Sequence, residues 1–210
     1  MLSGIILAAG DSARMGSPKA VLPDRTGTPF VVRIATTLIA AGVPEVLVIT
    51  GRHHDAIASA VAAARWAVRP RLVRNPDPAR GQLSSLWLGL EACSPGTEAV
   101  AMTLVDVPAL AQTTVEVVIE TWRRTQAPIV RPEYRGRRGH PVIFDQALFD
   151  ELRRAPLDKG ARAVLSAHYA AIVNVPVSDP GCVEDLDTPE EYQRAMNEPG
   201  GPSDEGEEET

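Results

Sequence analysis

Gly4-Ile5-Ile6-Leu7-Ala8-Ala9-Gly10-Asp11-Ser12-Ala13-Arg14-Met15-Gly16-Ser17-Pro18-Lys19 decides how this chain is read. Residues 4–9 form an apolar run of strand length, and the run leads straight into a glycine-rich loop carrying Arg14 and Lys19. Glycines let a backbone come close enough for its N–H groups to converge on phosphate oxygens, and cations balance the charge that remains. Strand, glycine loop and two cations together point to a polyphosphate ligand. The spacing excludes two commoner loops. A P-loop needs Gly-x4-Gly-Lys-Ser/Thr, but five residues separate Gly10 from Gly16, and Ser17-Pro18 intervenes before Lys19. The Gly-x-Gly-x-x-Gly dinucleotide pattern is absent as well.

Around this loop the chain alternates. Short aliphatic runs at 4–9, 45–50, 70–74, 99–104, 128–131, 141–144 and 172–176 predict strands. Helix-period segments at 30–41, 55–64, 84–92, 113–124, 145–153 and 159–168 lie between them. Strands this apolar, alternating with helices, predict an α/β fold: one Rossmann-like, three-layer domain over 1–197 with a mostly parallel, mixed sheet and helices on both faces. Ligands of such sheets sit beyond the carboxyl ends of the strands, so Gly10, Asn75 and Asp106 occupy the informative loops.

The net charge of −6 misleads. Residues 198–210 hold six acids and no base, which leaves 21 acidic against 21 basic residues over 1–197. The tail, with almost nothing apolar to bury, is expected to be disordered and acidic. A neutral body gives no support for nucleic-acid binding, and no stretch reads as a membrane span or export signal, so a cytoplasmic protein is expected. Cys93 and Cys182 are too few for a structural zinc site.

Three further constellations carry chemistry. Leu104-Val105-Asp106-Val107-Pro108 puts a carboxylate at the end of an apolar strand, facing the phosphate loop. Mg²⁺ takes one or two carboxylates plus phosphate oxygens and waters, so Asp106 is a candidate ligand. In Asp185-Leu186-Asp187-Thr188-Pro189-Glu190-Glu191, Thr188 and Pro189 make a helix start. Asp185 and Asp187 alternate as on a strand and would share one face. Asn75-Pro76, Gly81 and Ser84-Ser85 precede an amphipathic helix whose free N–H groups and hydroxyls suit a ribose, a base edge or a phosphate. His53 and His54 are expected to face solvent, and Lys159 to be an ordinary helix-start residue.

The loop Leu-Ala-Ala-Gly-x-Ser-x-Arg-Met-Gly-x-Pro-Lys resembles the signature of the MobA-like nucleotidyltransferases. Asp106-Val107-Pro108, Asp185-Leu186-Asp187-Thr188-Pro189 and the Gly139-His140-Pro141 turn resemble that family's other elements, in the expected order. Arg137-Arg138-Gly139-His140-Pro141 and Asp158-Lys159-Gly160-Ala161-Arg162 resemble its acceptor-binding elements, and the resemblance implies that Arg138, His140 and Arg162 hold an anionic acceptor. The resemblance covers roughly 4–195 and implies a nucleotide-diphospho-sugar-transferase-like fold. It also implies a reaction in which an acceptor phosphate attacks the α-phosphorus of a nucleoside triphosphate and pyrophosphate leaves. It assigns nucleotide binding to Leu7, Ala8, Ala9, Gly10, Arg14, Gly16, Lys19, Asn75, Gly81, Ser84 and Ser85. Lys19, Arg14 and Asp106 would be catalytic. Mg²⁺ or Mn²⁺ would sit on Asp106 and Asp187, with Asp185 as the alternative. The Ala8-Ala9-Gly10 form is closest to the molybdenum cofactor cytidylyltransferases, which implies CTP and a molybdopterin-type acceptor. It further implies contact with molybdoenzyme-maturation proteins and a monomer or weak dimer. Two competing implications stand beside it: the same reaction with another triphosphate such as GTP or another phosphorylated acceptor, and, from a different class, the same loop on a flavin- or nucleotide-binding oxidoreductase.

Overall fold

The computed structural model describes residues 1–11 and 15–197. Arg14 and the acidic stretch 198–210, expected above to be disordered, lie outside the described residues. The N-terminal apolar run becomes β1 (Leu2–Ala8), buried along its whole length. It has parallel neighbours on both edges, β2 (Glu45–Thr50) and β4 (Ala99–Leu104), and helices over both faces. Ile5 enters one core layer and Ile6 the other, as strand alternation requires. Burying each contributes roughly 1.5–3 kcal/mol. β3 (Arg71–Arg74) extends the parallel part beyond β2.

Past β4 the sheet changes direction. β7 (Val142–Asp145) runs antiparallel to β4, and β5 (Ile129–Tyr134) runs antiparallel to β7, so β5 points the same way as β4. β7 meets β5 only at Ile129 and Val130. Further along β5 the short β6 (Arg137–Arg138) pairs with it, and β8 (Ile172–Pro176) runs parallel along the other edge. The expected mostly parallel, mixed sheet is what the chain forms.

Helices α1 (Phe30–Ala40), α2 (His54–Ala63), α4 (Gln112–Thr125) and α7 (Pro189–Asn197) cover the face that receives Ile6. Helices α3 (Gln82–Ala92), α5 (Phe149–Arg154) and α6 (Arg162–Ala167) cover the face that receives Ile5. The three layers thus share one sheet in a single α/β domain.

Three local expectations change. The helix expected over 145–153 starts later, because Asp145 ends β7 and its side chain accepts from Ala147 N (3.0 Å), capping a short 3-10 turn ahead of α5. The helix expected over 159–168 shrinks to α6, because Gly160 adopts φ +63° and breaks the approach. Strand β6 was not expected. It forms because Arg135 and Gly136 both take positive φ (48° and 78°), the geometry that turns a chain tightly back into a hairpin.

Candidate active site

A cavity of about 400 Å³ opens at the carboxyl ends of β1 and β4. Leu7, Ala8, Ala9 and Gly10 line it where β1 runs out, and Leu104, Val105 and Asp106 where β4 does. Gly51, at the end of β2, keeps this mouth compact, since a Cβ there would stand 2.5 Å from the Ala9 carbonyl oxygen. Of the glycines assigned to the nucleotide, Gly10 lines the cavity. Gly16 is exposed at φ +65° and does not.

Charge is concentrated at one point. Lys19 opens a short 3-10 turn and is buried. Its ammonium donates to Asp106 Oδ2 (3.3 Å) and to Asp187 Oδ1, so one cation sits between two carboxylates. These three residues are 87 and 168 positions apart in sequence. Leu186 N donates to the Asp106 carbonyl (2.9 Å), which fastens the C-terminal segment beside the end of β4. Behind it a reciprocal cap sets the start of α7. Glu191 Oε2 accepts from Asp187 N and Thr188 N, and Glu191 N donates to Thr188 Oγ1. Those backbone donors hold the Glu191 carboxyl below its ordinary range. The Thr188 helix start is therefore confirmed.

The segment carrying Asp185 and Asp187 is not a strand, and the expectation that the two carboxylates share a face is corrected. Asp187 lines the cavity, whereas Asp185 is exposed and does not. Without a ladder partner, nothing imposes strict alternation.

A divalent cation suits the donor set. Asp106 Oδ1 is buried and has no hydrogen-bond partner among the described residues, a costly state for a carboxylate oxygen. No group of three or more His, Cys, Asp or Glu side chains gathers for a metal among the described residues. Two carboxylates leave coordination positions for phosphate oxygens and water, the set that Mg²⁺ favours.

Asn75, Gly81, Ser84 and Ser85 also come together, though not as helix caps. Gly81, at φ +94°, is the residue that starts α3. Asn75 Nδ2 lies 3.0 Å from both serine hydroxyls and donates to each, while Ser84 Oγ donates to the Gly81 carbonyl (2.7 Å). Gly81 and Ser85 reach the cavity; Asn75 and Ser84 are buried behind them and hold them in place.

A second cavity of about 420 Å³ adjoins the first, since Gln82 and Leu104 line both. It lies where β7 stops pairing with β4 at Met102, and it contains Arg138, His140 and Arg162, the three residues assigned to the acceptor. Gly139 N donates to Pro132 O and His140 N to Cys182 O (2.8 Å). Only glycine fits at 139, because a Cβ would stand 2.4 Å from the Cys182 carbonyl oxygen. Burial pushes the His140 imidazole below its ordinary pKa.

Several lining residues escaped the sequence reading. His53, expected to face solvent, is half-buried and lines the first cavity. Lys159, taken as a helix-start residue, precedes α6 and lines the second cavity. Arg131 lines it too, and its one available signal was an arginine inside the apolar run Ile129-Val130-Arg131-Pro132.

Known proteins are similar to this chain in sequence and in fold. The chain is 31% identical to a nicotine blue oxidoreductase from Paenarthrobacter nicotinovorans, over 93% of this chain and 96% of that protein. It is 27% identical to the molybdenum cofactor cytidylyltransferase of Escherichia coli, over 90% of this chain and 92% of that one. A crystal structure of Rv0371c from Mycobacterium tuberculosis superposes with a TM-score of 0.79 at 25% identity, covering 94% of this chain and 98% of the other. Residues 4–172, from the phosphate loop to the start of β8, match the MobA-like NTP transferase domain, and the chain belongs to that family.

Proposed function

We propose that this nucleotidyltransferase transfers CMP from CTP to the phosphate of a molybdopterin-type acceptor and releases pyrophosphate. The observation that carries the reading is the seat of Lys19 between Asp106 and Asp187, in a cavity that opens directly into a second, cationic one. Backbone N–H groups around Gly10, with Arg14, hold the β- and γ-phosphates. Lys19 offsets charge that builds on the α-phosphoryl group, since such transfers depend on positioning and electrostatics more than on covalent catalysis. Asp106 and Asp187 would hold Mg²⁺ or Mn²⁺, which would neutralise negative charge on the reacting phosphates. The Mycobacterium tuberculosis neighbour has been crystallised with manganese.

Arg138, His140 and Arg162 orient the acceptor so that its phosphate oxygen attacks the α-phosphorus while the bond to the β-phosphate oxygen breaks. The acceptor phosphate needs no general base, because its second pKa is about 6 and it is largely ionised at neutral pH. The methyl group of Ala9, on the cavity wall, favours a pyrimidine over a purine. One methyl accounts for only about 10–200-fold of discrimination. The role is a cytoplasmic one, where triphosphates are made.

Pyrophosphate release, measured with four triphosphates against molybdenum-molybdopterin, tests the reading. CTP should be the preferred donor, and Asp106→Asn should abolish the metal-dependent rate. A preference for GTP ends the cytidylyl assignment alone, whereas no release with any triphosphate ends the transferase assignment. The 31% identity to a nicotine blue oxidoreductase supports a second reading, that of a flavin- or nucleotide-binding oxidoreductase on the same fold. A bound flavin absorbance in purified protein would favour it; the paired carboxylates around Lys19 favour phosphoryl chemistry.

A further inference from the structure

Arg131 is a buried cation that has no ion-pair partner among the described residues. It is 7% exposed, on a strand whose neighbouring residues Ile129 and Val130 are fully buried. Its hydrogen bond runs from Nε to Asn174 Oδ1 (2.8 Å), across the β5–β8 ladder where the two residues are partners. Glu133 and Tyr169 are the acidic groups that bear on it electrostatically, Glu133 the more strongly. Burial, and then the charge of Arg138, make its guanidinium easier to deprotonate than usual. Keeping a guanidinium desolvated and unpaired is expensive, and folds retain such groups where something outside the chain completes them.

The guanidinium faces the second cavity. Ile129 belongs to the core layer beneath α3 and α5, and strand alternation sends Arg131 to that same face, where Met102, Val142 and Leu165 line the cavity with it. The cavity holds Arg131, Arg138, Lys159 and Arg162 against the single acid Asp158. By register, Val130 pairs with Ile143 and Ile143 with Ala101, so Arg131 lies level with Met102. That places its Cα two strands, about 10 Å, to the side of β4.

We propose that Arg131 is the floor of an anion subsite in the second cavity, where its guanidinium binds a carboxylate or phosphate group in a fork. Assigning that group to the acceptor would rest on the transferase reading; the subsite itself does not. The bidentate geometry of guanidinium suits either oxyanion.

The test uses the intact protein with CTP filling the first cavity, and titrates inorganic phosphate and acetate in parallel. The Arg131 Nε–Hε resonance, assigned with Arg131→Lys, should shift saturably with one or both anions, and which one responds separates phosphate from carboxylate. Indifference to both overturns the subsite. In Arg131→Met the affinity for the anion, read in both proteins from the anion-induced rise in Tm, should fall at least tenfold. The same substitution should also raise the anion-free Tm, by about 2–4 °C, since an unpaired buried charge is removed and exposed Asn174 is left to water. A variant that melts lower or fails to fold makes Arg131 a structural ion and also overturns the subsite. Anion binding at Arg131 without pyrophosphate release keeps the subsite and loses the transferase reading. Pyrophosphate release with an indifferent Arg131 does the reverse.

Discussion

The two cavities meet at Gln82 and Leu104 yet manage charge in opposite ways. In the first, Lys19 sits between Asp106 and Asp187, so its charge is paired before a ligand arrives, while Asp106 Oδ1 still lacks a partner among the described residues. In the second, four cations face Asp158 alone, and the most deeply buried of them, Arg131, has no ion-pair partner among the described residues. A compensated cluster can exchange partners during a reaction, because a phosphate oxygen or a metal can take the place of one member. An uncompensated cluster is a binding surface that waits for an anion. Under the proposed function, the difference would give rate to the first cavity and acceptor affinity to the second.

The largest effect that could break this division comes from Lys19. Lys19→Ala should lower kcat by about 10²-fold or more while the acceptor KM changes little, as for other stabilisers of a charged transition state. Steady-state kinetics with acceptor varied checks it, and a loss confined to KM would return Lys19 to plain binding.

A smaller effect sharpens the other side. Arg162→Ala, at the start of α6, should raise the acceptor KM about tenfold with kcat held, the scale of a charge-assisted hydrogen bond lost at an exposed position. A fall in kcat with KM intact would move Arg162 into the chemistry and blur the two regions.

The smallest effect is on stability. Burial holds the folded His140 pKa below its unfolded value of about 6.5, so the unfolded chain takes up that proton first as pH falls. Stability is then full above about pH 6.5 and declines between there and the lower folded value. Denaturant melts from pH 5 to 7.5 should show a shallower decline in His140→Gln than in wild type. Parallel curves for the two proteins would mean that His140 does not titrate differently on folding.

Much of this was legible without coordinates. The run through Leu7-Ala8-Ala9-Gly10 needed no tertiary information, because an apolar strand entering a glycine loop is local and hydrophobic periodicity reports it. Asp106 was recognisable for a similar reason: a charge at the end of so apolar a strand has little structural justification. Thr188-Pro189 and Glu191 announced their helix through capping chemistry, which is written within four residues. Composition likewise set the α/β class, since the alternation of elements follows from periodicity alone.

Tertiary structure decided what depended on distance and on desolvation. Nothing local distinguishes Asp187 from Asp185; the choice follows from Leu186 docking on the Asp106 carbonyl, a contact 80 residues apart in sequence. Ser84 and Ser85 looked like caps until Asn75, from the end of β3, bonded to both. His53 looked like a solvent residue and Lys159 like an ordinary helix start because their sequence neighbours are polar, and only the packing of remote segments put them on cavity walls. Arg131 shows the limit most plainly. Its chemistry was visible in the sequence, but the value of a charge depends on what surrounds it, and burial without a counter-ion is a property of the assembled sheet.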